Sequence, residues 1–115
     1  VASITAIGEV AGKNIIIVDD MVDTAGTLAK AANVLKDMGA VSVRACATHP
    51  VFSGSAYEKI ANSALEEVIV SDTIPLSNDP AKDKSKITVL TMAKMFANII
   101  RKVYNYEEIS SSFIN

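Results

Sequence analysis

Cysteine is nearly missing from this chain, and Cys46 alone among 115 residues leaves no intrachain disulfide to be made. Its place in the apolar run Val43 to Ala47 reads as a buried strand thiol in a reducing compartment. There is also only one histidine, His49, and a lone imidazole at a strand end reads as hydrogen-bonded structure rather than as a catalyst. Basic residues are not in excess: 11 Lys and Arg stand against 13 Asp and Glu, a formal charge of −2. That balance supplies no general basic field for nucleic acid or an anionic membrane surface. No apolar run approaches the roughly 20 residues that span a bilayer, and no basic-then-apolar leader precedes Val1. A cytoplasmic protein with no nucleic-acid and no membrane partner is therefore expected. Internal repeats and low-complexity tracts are missing too. What remains is one modest domain, half of it apolar, near the lower size limit for an α/β sheet with helices on both faces. Val1 to Gly8 lead into the first strong strand without a turn or cap of their own, so a piece of a longer protein is expected.

What the chain does have is concentrated in one stretch. Ile15-Ile16-Ile17-Val18 is a β-branched run that reads as a strand buried on both faces, and Leu28, Ala31, Ala32, Leu35 and Met38 recur at helical spacing. Between them lies Asp19-Asp20-Met21-Val22-Asp23-Thr24-Ala25-Gly26-Thr27. In an open α/β sheet, ligands bind in the crevice beyond the carboxyl ends of the strands. Free N–H groups of Thr24 to Thr27 would open the helix and, with its dipole, form a concave seat for a phosphate, reinforced by two hydroxyls. Asp19 and Asp20 cannot share that seat with an anion. They are aimed instead at hydroxyl groups or a metal ion, so the stretch reads as a site for a phosphorylated, polyhydroxylated molecule. The plainer alternative is that Asp23 and Thr24 are ordinary helix caps and Gly26 only permits a tight turn. Adjacent Asp19 and Asp20 would then point to opposite faces of a strand, one capping a turn and the other solvated.

The rest of the pattern repeats strand, helix, strand. A strand is expected from about Asn14 to Asp19, then a helix from about Thr27 to Met38 stopped by Gly39. A second strand covers Ser42 to Thr48, and the loop Pro50 to Gly54 leads to Ser55-Ala56-Tyr57-Glu58, whose S-x-x-E form predicts a capping box and a short helix to about Asn62. Glu67 to Ser71 is a third strand, Asn78 to Ser85 an exposed loop and Ile87 to Leu90 a fourth strand. Met92, Phe96, Ile99, Ile100 and Val103 then mark one apolar face of a last helix, read as core-facing or packed on a missing domain. Such units imply a parallel sheet with right-handed crossovers.

IIIVDDMVDTAGT resembles the ribose 5-phosphate (PRPP) loop of the type I phosphoribosyltransferase fold. Three further segments narrow the resemblance to the C-terminal part of the ribose-phosphate diphosphokinases, or PRPP synthetases: Ala47-Thr48-His49-Pro50-Val51-Phe52-Ser53-Gly54, Val70-Ser71-Asp72-Thr73-Ile74-Pro75-Leu76, and Glu107-Glu108-Ile109-Ser110-Ser111-Ser112-Phe113. The resemblance implies a three-layer α/β/α fold with a mostly parallel, phosphoribosyltransferase-like sheet over residues 1–115, with 104–115 as a tail. It implies transfer of the β,γ-diphosphoryl group of MgATP to ribose 5-phosphate, giving PRPP for nucleotide biosynthesis. In that family Asp23, Thr24, Ala25, Gly26 and Thr27 would enclose the 5-phosphate, and Asp19 and Asp20 would meet the ribose hydroxyls or the Mg²⁺ held by them. The catalytic Lys and Arg and the ATP-binding residues of the family lie upstream, so no catalytic residue is expected within this segment. Ser110 and Phe113 would contribute to a regulatory anion site, and a homo-oligomer is implied for the full-length protein.

Glu108 departs from the family pattern, standing where many synthetases carry serine, and a carboxylate there would repel a phosphate. Pro50 and Ser55 replace a more usual glycine and proline. Other readings stay open at this point: another type I phosphoribosyltransferase, a non-catalytic regulatory relative, or a phosphoacceptor receiver domain with Asp19 and Asp20 as metal-binding acids, Asp72 as acceptor and Thr91 as switch. Asp-Thr-Ala-Gly-Thr has no use in a receiver.

Overall fold

The computed structural model describes residues 8–110. The elements run β1 (Asn14–Val22), α1 (Gly26–Asp37), β2 (Ser42–Pro50), α2 (Ala56–Ala61), β3 (Glu67–Ser71), β4 (Ile87–Leu90) and α3 (Ala93–Tyr104). All four strands are parallel and lie in sequence order, β1-β2-β3-β4. The register joins Ile15 to Val43, Ala45 to Val68 and Val70 to Val89, so one face of the sheet carries a continuous apolar row.

A sheet whose spatial order follows the chain steps in one direction, and parallel crossovers of one hand then place every connection on the same face. That face holds the core. Val43, Ala45, Val68 and Val70 from the strands, Leu28 and Ala32 from α1, and Ala56, Tyr57 and Ile60 from α2 form one buried cluster. The connection 72–86 covers the same side, where the Ser77 N–H donates to the Tyr57 hydroxyl at 2.9 Å and Leu76 packs on the cluster. Tyr57 in turn meets the edge of Phe52 at 5.2 Å between ring centroids.

The α/β class and the parallel sheet are as the sequence reads, but the described residues build two layers of the expected three. Ile16, Val18 and Leu90 on the opposite face are 62%, 79% and 58% exposed, and Cys46, expected to be buried, is half-exposed beside them. Helix α3 buries no residue. Its apolar stripe is formed as the spacing predicts, yet Ile100 and Val103 remain open to solvent.

Helix α1 ends as Gly39 foretells. Gly39 takes φ +99°, the Ala40 N–H donates to Leu35 O and the Gly39 N–H to Lys36 O, the paired bonds of a left-handed C-terminal cap. The capping box expected at the start of α2 is not made: Ser55 is the N-cap, but its hydroxyl caps no N–H.

Candidate functional site

β1 outlasts its expected end at Asp19 because β2 keeps pairing with it, through Met21 with His49 and Val22 with Pro50. Alternation slips on the way. Ile15 and Ile17 pack on the core from odd positions, whereas the next residue to enter it is Val22. Within the slip each aspartate takes the following backbone N–H, Asp20 N to Asp19 Oδ1 and Met21 N to Asp20 Oδ1, both at 2.8 Å. Both carboxylates are exposed at the carboxyl end of the sheet. The hydrogen bond with Asp19, the Met21 N–H and the charge of His49 hold the Asp20 carboxyl below the ordinary carboxylate range, so it is an anion at neutral pH. Among the described residues no three His, Cys, Asp or Glu side chains gather closely enough to hold a metal ion. Asp19 and Asp20 could thus give a hard cation only part of its oxygen shell, the rest coming from ligand or water.

Beyond Val22 the chain turns into α1 through Ala25, which adopts φ 65° and ψ 6° and makes no side-chain cap. Neither Asp23 nor Thr24 caps the helix, so the plainer reading of this stretch as ordinary capping is not what the chain does. The tight-turn role imagined for Gly26 falls to Ala25 as well, since Gly26 has no positive φ. The first N–H groups of α1 are left without a side-chain acceptor and open onto a shallow cavity of about 200 Å³, lined by Asp19, Asp23, Thr24, Gly26 and Thr27 among others. A Cβ built on Gly26 would lie 3.6 Å from Lys59 Nζ and 3.9 Å from Thr24 Oγ1. The missing side chain therefore leaves a gap flanked by a hydroxyl and an ammonium.

Lys59 was not legible as a neighbour of this loop, being 33 residues downstream of Gly26. Two parallel strands of matched length bring it there. The loops that leave β1 and β2 are fastened together, with Phe52 N donating to Val22 O at 3.0 Å and Ser53 N to Asp23 O at 2.9 Å. The Ser53 hydroxyl also donates to the Asp23 carboxylate. Asp23 is thus held by Ser53 and does not cap α1.

His49, Asp72 and Ser110 each make hydrogen bonds within the chain. His49 Nδ1 lies 2.9 Å from Thr73 Oγ1, the hydrogen-bonded arrangement expected of it. Asp72 accepts from Thr91 Oγ1 at 2.7 Å and from Met92 N at 2.8 Å, and these two bonds keep its carboxyl below the ordinary range. Asp72 fastens the end of β3 to the turn between β4 and α3 and is not poised as a phosphoacceptor. A receiver sheet needs its first strand between the second and third, whereas β2 pairs directly with β3 here. Both findings remove the receiver alternative. Ser110 directs its N–H and its hydroxyl to Glu108, while Phe113 lies outside the described residues. A second cleft, about 270 Å³, runs along the bare face between Val18, Cys46, Ile69, Leu90 and Met92.

The description of the phosphoribosyl synthetase-associated domain matches residues 2–114. Among curated relatives, the ribose-phosphate pyrophosphokinase of Wolinella succinogenes is 59% identical over 108 residues, 94% of this chain and 34% of the relative. That of Shewanella oneidensis is 57% identical over 107 residues, 93% of this chain and 34% of the relative. The crystal structure of phosphoribosylpyrophosphate synthetase from Mycobacterium smegmatis superposes with a TM-score of 0.82 at 43% identity, covering 87% of this chain and 33% of that one. The chain spans about a third of the length of each.

Proposed function

The chain belongs to the phosphoribosyl synthetase-associated domain family, and from that membership we propose that it is the ribose 5-phosphate half-site of a ribose-phosphate pyrophosphokinase. The observation that carries this reading is the open start of α1, with N–H groups that no side chain caps and a gap over Gly26 beside Thr24. Oriented N–H groups at a helix start bind phosphate without further arrangement. The 5-phosphate sits over Thr24 to Thr27, and the ribose extends toward the carboxyl end of β1, where Asp19 and Asp20 accept from its hydroxyls.

Asp19 and Asp20, as hard oxygen donors, would hold Mg²⁺ together with ligand or water oxygens, and the ion would supply charge neutralisation at the diphosphoryl group. This segment contributes orientation: it fixes the acceptor sugar by its phosphate and diol and keeps the anomeric hydroxyl in one place, which is much of what phosphoryl transfer asks of a protein. The remaining contribution, cationic groups around the transferred diphosphate and the ATP site, belongs to the rest of the longer protein. The 115-residue chain therefore binds ribose 5-phosphate weakly and makes no PRPP from MgATP by itself.

Calorimetric titration tests this. Saturable binding of ribose 5-phosphate, little binding of ribose, and loss of binding in Gly26→Val are expected. Absence of binding by a chain that circular dichroism shows to be folded, or PRPP formation by the chain alone, would contradict the reading.

A further inference from the structure

Resting on the half-site reading, we infer that Lys59 of α2 is a further phosphate-binding residue: its ammonium supplies the positive charge that the loop Asp19 to Thr27 lacks, and makes the seat selective for a charged phosphate over a neutral sugar terminus.

The loop itself is unsuited to a dianion on charge alone. Its nine residues contain Asp19, Asp20 and Asp23 and no base. None of the residues lining the small cavity over α1 is cationic either. Against this, Lys59 Nζ is 3.6 Å from the place a Gly26 Cβ would take, and Thr24 Oγ1 is 3.9 Å from the same place. A hydroxyl and an ammonium thus flank one empty position at the first residue of α1, a helix whose opening N–H groups no side chain caps. That is a donor set for a tetrahedral oxyanion, with neutral and charged donors on different sides.

Lys59 is available for the task. Arg44 pairs with Glu66 and Glu67, whereas Lys59 has no hydrogen-bonded or ionic partner among the described residues. Its helix is fixed. Ala56, Tyr57 and Ile60 are buried in the core, so the backbone that carries Lys59 cannot swing away, and the Val22–Phe52 and Asp23–Ser53 bonds set α2 beside the phosphate loop. A wider groove of about 630 Å³ between α1 and α2, shared by Gly26, Lys30, Glu58 and Lys59, adjoins the seat. The exposed ammonium therefore has open space beside it.

The test compares the wild-type chain with Lys59→Gln, Lys59→Arg and Lys13→Gln, titrating ribose 5-phosphate and ribose at low and high salt. Lys13 lies beyond the opposite end of β1 and controls for net charge. Lys59→Gln is expected to weaken ribose 5-phosphate roughly tenfold, the effect of one cation near a dianion in a solvated site, to leave ribose unchanged, and to flatten the salt dependence. Lys59→Arg restores most of the affinity and the salt slope. Lys13→Gln changes neither. Equal affinity and equal salt slope for wild type and Lys59→Gln would overturn the inference while leaving the half-site reading intact. No ribose 5-phosphate binding by the folded wild type would overturn the half-site reading, and this inference with it. Thermal unfolding of Lys59→Gln at the wild-type temperature excludes a structural origin for the loss, since the side chain is exposed.

Discussion

Replacing Gly26 by alanine asks whether that glycine serves the backbone or a ligand. Gly26 sits at the first position of α1 with an ordinary helical φ, while its neighbour Ala25 absorbs the left-handed turn. A Cβ there would make ordinary van der Waals contacts at 3.6 and 3.9 Å, so the fold does not demand glycine. Alanine reduces the freedom of the unfolded chain, and the substitution should stabilise the protein by about 0.5 kcal/mol, or at most about 1 kcal/mol, raising Tm by roughly 2–6 °C. Binding should move the other way. The new methyl occupies the position on which Thr24 Oγ1 and Lys59 Nζ converge, and a phosphate kept from it loses one or two charge-assisted hydrogen bonds worth about 1.5–3 kcal/mol each. Ribose 5-phosphate should bind at least roughly tenfold more weakly, and Gly26→Val should remove binding. Differential scanning fluorimetry and calorimetry on the same preparation read both effects. A Gly26→Ala chain that binds as tightly as wild type would refute the seat; one that melts earlier would refute the account of the turn.

Gly39→Ala should do the opposite of Gly26→Ala. Gly39 holds φ +99° and a Cβ there would meet the Ala11 Cβ and Cα at 3.2 and 3.3 Å, so a loss of about 1–3 kcal/mol is expected in denaturant titrations. Asp72 has a lowered carboxyl pKa in the fold. Its contribution is therefore present above its unfolded value, about 3.9, and is lost as pH falls through the lower folded value; protection of the Met92 amide against exchange should fall on that acid limb, and in Asp72→Ala already at neutral pH. The bare face and the α3 stripe should bind a hydrophobic dye, and Ile100→Lys with Val103→Lys should reduce the signal without lowering Tm, because neither residue is buried.

The elements were legible because the chain declares them locally. The β-branched run of β1, the helical spacing of α1 and the Gly39 stop need no distant partner, and each is found where the sequence places it. The end of β1 was misjudged for a tertiary reason. Asp19 and Asp20 look like strand terminators, but pairing with His49 and Pro50 of β2 carries the strand on to Val22. The capping box of α2 failed because the S-x-x-E form specifies only a possibility, and here the loop before α2 is fixed by other bonds, from Phe52 and Ser53 to the end of β1. Layering was legible only in part. The apolar Ile16, Val18 and Leu90 imply a covered face, yet a hydrophobic residue does not say which segment covers it. The loop of the site was readable as a motif, and Ser53 stood in a segment the sequence singled out; the Lys59 side chain beside the loop comes from beyond β2, and no local pattern marks it.

Charge decides how the half-site should respond to Mg²⁺. A helix start offers about half an elementary charge and Lys59 one more, against a phosphate of about two negative charges and the carboxylates of Asp19, Asp20 and Asp23 close by. The chain's own positive charge does not match this, so ribose 5-phosphate should bind weakly in low-salt buffer without divalent ions. On the proposed placement, a cation at the exposed Asp19 and Asp20 oxygens would relieve the repulsion from the β1 side of the turn. Mg²⁺ should then strengthen ribose 5-phosphate binding in the wild type. Asp19→Asn with Asp20→Asn loses repulsion but also charge-assisted bonds to the sugar hydroxyls, and its binding should gain little when Mg²⁺ is added. Both titrations are within reach of calorimetry. An identical Mg²⁺ response in the wild type and the double variant would show that the aspartate pair does not meet the cation, and would leave it only the sugar hydroxyls.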